Sequence, residues 1–214
     1  MNKQLNKIEE TIAWLEANAP EDACVILMSM AADASSSDSE ANEKKVELKT
    51  YIEGYDEDLS AMLIKKMIAI PLLRQVLAEA FSQGGGELDT EAFLKWREKN
   101  KYDMKFELLD LSGEPGETLP GEAEEYIRVI QEFCVWMSEK PSRNLTMLTL
   151  AWDELNSEKT TFAMGFAPDL SIMLAREIQE NYEFRQIVES ALYGIEAQAS
   201  YPELKAWKES LKKK

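Results

Sequence analysis

One segment of this chain occurs twice, and that repetition constrains the architecture before any local pattern does. Gly54-Tyr55-Asp56-Glu57-Asp58-Leu59-Ser60-Ala61-Met62-Leu63 returns as Gly165-Phe166-Ala167-Pro168-Asp169-Leu170-Ser171-Ile172-Met173-Leu174, shifted by 111 residues. The register continues without a gap: Lys65 meets Arg176, Met67 meets Ile178, and Arg74-Gln75-Val76 meets Arg185-Gln186-Ile187. From Gly54 to Ala80, nine of 27 positions are identical, where average residue usage gives roughly two. Downstream, Asp89 corresponds to Ser200 and Trp96 to Trp207. Upstream, Pro20 and Pro141 stand 121 apart, so the second copy has the shorter hairpin loop. What repeats is a whole folding unit.

The order of elements follows from periodicity and breakers. Leu5, Ile8, Ile12 and Leu15 recur at helical spacing over residues 3–18, and Pro20 follows the end. Residues 24–30 form a short apolar run, which predicts a strand covered on both faces. A polar, serine-rich run over 34–43 predicts a hairpin loop. Val46, Leu48, Thr50 and Ile52 then alternate with polar or aromatic neighbours as a half-exposed strand. Asp56, Glu57 and Asp58 open a helix with Leu59, Met62, Leu63 and Met67 as its buried stripe, and Pro71 breaks it. A third helix buries Leu72, Leu73, Val76, Leu77, Ala80 and Phe81, and a fourth follows the Gly84-Gly85-Gly86 joint. The alternation of Met104, Phe106 and Leu108 suggests a short strand or extended arm between the copies. The second copy repeats the plan, with Tyr126, Val129, Ile130, Phe133 and Trp136 in its entry helix and strands at 145–152 and 160–166.

The expected fold is therefore α+β, built from a duplicated α-β-β-α-α-α unit. Residues 1–101 form the first repeat, 102–121 a linker and 122–214 the second repeat. A lone hairpin is marginal in water. The preferred arrangement thus joins the two hairpins into one antiparallel sheet of four strands, pseudo-twofold symmetric and covered by helices. Two tandem small domains are the alternative.

Charge and missing residue types exclude several chemistries. The chain has 24 Lys and Arg against 40 Asp and Glu, a net charge of −16. The acidity is not a tail: 13 basic and 22 acidic residues precede Ser112, and 11 and 18 follow it. Such a field disfavours direct binding to nucleic acid or anionic membrane. There is no histidine, which removes the commonest general base and the usual Ser-His and Cys-His pairs. The two cysteines, Cys24 and Cys134, lie in apolar runs at non-equivalent positions, as buried free thiols do. No signal peptide and no apolar run near 18 residues is evident, which predicts a cytoplasmic protein.

Polar residues shared by both copies are the candidate ligand or network positions: Asp58 with Asp169, Lys65 with Arg176, Arg74 with Arg185, and Gln75 with Gln186. An Arg fork beside an Asp counter-charge could hold an anion in each copy. A simpler reading makes the carboxylates helix-end charges, with Arg74 and Arg185 pairing with them to fix an interhelical angle. Ser60 and Ser171 lack an activating histidine, and Lys65 lies on a different helix face from Ser60. Gly84-Gly85-Gly86 is not followed by the Lys and Ser or Thr of a phosphate cradle. The acidic stretch 33–44 lacks the glycine and terminal glutamate of a calcium loop. No catalytic residue, cofactor or metal site is assigned.

The expected function is that of a non-enzymatic, acidic binding protein with two homologous halves and a protein partner. The pattern leaves room for a homo-oligomer. Two other readings are a nucleic-acid-mimicking inhibitor of a basic DNA- or RNA-binding protein, and a small-anion or metabolite sensor using Arg74 and Arg185.

Overall fold

The computed structural model describes residues 2–32, 46–83, 105–110, 121–140, 142, 144–153 and 158–198. The expected loop at 34–43, the Gly84-Gly85-Gly86 joint and the helices expected around Trp96 and Trp207 lie outside these residues.

Helix α1 (Asn2–Asn18) leads into strands β1 (Val25–Ala32) and β2 (Val46–Glu53), then helices α2 (Asp56–Ala69) and α3 (Pro71–Gln83). Strand β3 (Lys105–Asp110) comes next. After it follow α4 (Gly121–Ser138), β4 (Leu145–Asp153), β5 (Glu158–Phe166), α5 (Ala167–Glu180) and α6 (Tyr182–Gln198). The class is α+β with an antiparallel sheet, and the same succession of helix, two strands and two helices stands on either side of β3.

The two hairpins share one sheet, in the order β2-β1-β4-β5-β3. Its centre is the antiparallel pairing of β1 with β4, from Val25↔Ala151 through Met28↔Leu148 to Ala31↔Leu145. The segment expected to be a linker, 102–121, adds a fifth strand, β3, which pairs with β5 from Lys105↔Phe166 to Asp110↔Thr161.

The apolar runs are apolar because both faces of the central strands are covered. Ile26, Met28 and Met30 of β1 and Leu148, Leu150 and Trp152 of β4 enter one core with α2, α3, α5 and α6. Val25, Leu27 and Ala31, with Leu145, Met147 and Ala151, enter a second core under α1 and α4. Strand β2 alternates instead. Val46, Leu48 and Ile52 pack on the first core, whereas Tyr51 joins the second. There its hydroxyl lies 2.8 Å from that of Tyr126, whose ring stacks on Trp14 with centroids 6.2 Å apart.

The helices after each hairpin interlock: α2 lies chiefly against α6, and α3 against α5. Ser60 Oγ donates to the Ile187 carbonyl at 3.2 Å within this contact. Gly194 permits it, since a Cβ there would stand 2.5 Å from Ile64 Cδ1. Residues 111 apart are buried alike: Leu59 and Leu170, Met62 and Met173, Leu63 and Leu174, Val76 and Ile187, Ala80 and Ala191.

Gly54 and Gly165 turn the second strand of each hairpin into its helix. Their φ angles are +129° and +123°, a region that L side chains rarely adopt. Space is closed as well, because a Cβ on Gly54 would meet the Ala23 carbonyl at 2.6 Å and one on Gly165 would meet Thr146 Oγ1 at 2.5 Å. Replacing either glycine with alanine should lower stability by about 1–3 kcal/mol, read as a shifted midpoint in urea denaturation.

Burial of Tyr51 and its neighbour supplies a second test. Burial pushes the Tyr51 phenol up to about 12, and it raises Tyr126 as well, with their mutual hydrogen bond adding to the shift at Tyr126. Unfolded phenols ionise near pH 10. Between that value and the folded one the unfolded state holds fewer protons, so stability falls as pH rises through this window. Near-ultraviolet titration should show Tyr51 and Tyr126 ionising late, with unfolding at alkaline pH. Tyr126→Phe should leave Tyr51 as the one late-ionising member of the pair, and should weaken the fold by about 1–3 kcal/mol.

Candidate functional site

The structure scatters the eight residues singled out in the sequence. Asp58 is half-buried in the first turn of α2, beside Asp56 and Glu57. Asp169, in the first turn of α5, is 0 % exposed and accepts from Thr146 Oγ1 at 3.4 Å. Lys65 Nζ sits 3.7 Å from the centre of the Trp152 ring, whereas Arg176 pairs with Glu180 one helical turn away at 3.5 Å. Gln75 is exposed, and exposed Gln186 donates to the Tyr182 hydroxyl at 3.0 Å.

The expected pairing of Arg74 and Arg185 with the aspartates is corrected by the structure. Neither guanidinium forms a hydrogen bond or ion pair among the described residues. Asp169 is buried against β4, while Arg185 lies on the exposed side of α6, so their surroundings keep them apart. Nothing in the structure explains why both copies carry Arg and Gln at these positions.

The cysteines are free and buried. Burial pushes the Cys134 thiol up to about 12, which makes it a poor nucleophile. Among the described residues no group of three or more carboxylates or cysteines is placed to hold a metal ion. No helix among them is long and apolar enough to cross a membrane.

What the structure does assemble is a cleft of about 250 Å³ between β2, the start of α2 and the α5–α6 junction. Gly54, Asp56, Asn181 and Glu183 line it, with the buried or half-buried Ile52, Leu59, Phe184 and Ile187. Thr50 and Glu177 line it too. Glu177 is 7 % exposed, and its carboxylate accepts from Thr50 Oγ1 at 2.8 Å and from Asn181 Nδ2 at 3.0 Å.

Local sequence explains each part. Thr50 occupies the apolar-facing register of β2, so its hydroxyl enters the interior beside α5 instead of solvent. Asn181 interrupts two helices: its backbone N–H still bonds the Glu177 carbonyl, and its Oδ1 accepts from Phe184 N at 3.0 Å. That is an asparagine cap on α6, and it leaves the amide nitrogen to hold Glu177. Ile70 and Pro71 make the corresponding break 111 residues earlier without any such donor.

The same offset relates Glu177 to Lys66 and Thr50 to Thr161. Lys66 is 5 % exposed, and its ammonium donates to Thr161 Oγ1 and to the Thr160 carbonyl. Each half thus reaches across from one helix to a threonine on the second hairpin strand of the other half. One contact is made by a cation and the other by an anion. The pair does not stand out among the like polar residues of the two segments, because 66 and 177 are opposite in charge. The available signal was a threonine at both 50 and 161, the former in register with Val46, Leu48 and Ile52.

Asp56, Glu177 and Glu183 give the cleft three carboxylates, and no Lys or Arg is among its lining residues. Chemically it suits a cationic group. Neither a family model, nor a curated protein, nor a solved structure matches this chain.

Thr50→Val removes a donor to a buried carboxylate and should destabilise the protein by about 1.5–3 kcal/mol. Glu177→Gln can still accept from Thr50 but turns its own amide NH2 on Asn181 Nδ2, so it too should destabilise, and paired urea denaturation curves would rank the two.

Proposed function

We propose that this chain is a non-enzymatic, acidic binding protein, and that the cleft beside β2 receives a lysine or arginine side chain from a basic protein partner. The observation that carries this reading is the buried Glu177 carboxylate, fixed by Thr50 and Asn181 at the wall of an otherwise uncharged or acidic cleft. A carboxylate already desolvated and oriented meets an incoming cation with little reorganisation. The net charge of −16 draws cationic groups towards the surface.

Other features support parts of the reading. The absence of histidine and the engagement of Ser60 with a backbone carbonyl give no activated nucleophile to argue for catalysis. The shared order of elements and the like burial of residues 111 apart support a duplicated, pseudo-twofold origin. The reading includes a cytoplasmic setting, which two free buried thiols suit.

Lys66 suggests the decisive variant. Glu177→Lys reverses the central acceptor of the cleft, and because Asn181 Nδ2 then faces an ammonium, where the Lys66 site has Ile70, the variant should also lose some stability. Isothermal titration with a short lysine- or arginine-rich peptide should show saturable binding that weakens as salt rises. Glu177→Lys should weaken it about tenfold or more at a temperature where circular dichroism shows the variant still folded. Glu139→Lys makes the same charge change at an exposed site and should weaken it far less. Equal losses in the two variants, or equal binding of an uncharged peptide, would overturn the proposal.

A further inference from the structure

We draw no further inference here: the strongest candidate, the outer edge of β2, pairs with no further strand among the described residues and carries Lys49 ion-paired to Glu9 and Glu47 at its middle, but nothing in the structure shows what covers it.

Discussion

The pairing of β1 with β4 is the contact on which the rest depends. Each hairpin alone would offer two strands and an unsatisfied inner edge, too little to stand in water. Joined, they bury the most apolar strands of the chain at the centre of one sheet and give each face enough breadth for a helix layer. The second layer, α1 with α4, draws one helix from each half. The first layer does more, because α2 crosses to α6 and α3 to α5. No helix of that layer packs only on its own half. The halves therefore cannot part without opening both cores.

Interlocking of this kind also decides where polar chemistry can occur. The second hairpin strand of one half faces a helix of the other, so position 50 answers to position 177 and position 161 to position 66. At one of these contacts a lysine spans to a threonine and a backbone carbonyl. At the other a glutamate is held by a threonine and by an asparagine that stands where the first half has its Ile-Pro break. A single architectural position thus carries opposite charges in the two halves. The glutamate version retains a cleft, and its carboxylate is aimed by donors that come from two different elements.

Much of the fold was readable in the chain itself. Residues 24–30 were apolar at successive positions because they feed two cores, and β2 alternated because its second face is only partly covered. The glycine at each strand-to-helix corner belonged to the repeat because backbone angle and crowding both demand it. The alternation of Met104, Phe106 and Leu108 marked β3, although not its place beside β5. The cleft was not readable. Its walls come from residues 50–59 and 177–187, brought together by cross-half packing that no local period encodes. The shared polar residues drew attention instead, yet Asp58 is half-buried at a helix start, and Arg74 and Arg185 meet no partner among the described residues. Identity at the 111 offset tracked helix geometry better than it tracked ligand chemistry.

The central pairing has a consequence for how the chain reaches this state. Met28 and Leu148, which face each other in the middle of the sheet, are 120 residues apart in sequence. Contacts of such separation make folding slow, because a long loop must close before they contribute. During synthesis β1 and β2 emerge well before β4, so the inner edge of β1 stays open until much of the second half has left the ribosome. An apolar strand waiting in that condition invites mispairing. The buried seam that makes the finished molecule indivisible is therefore also the last part of it to become safe.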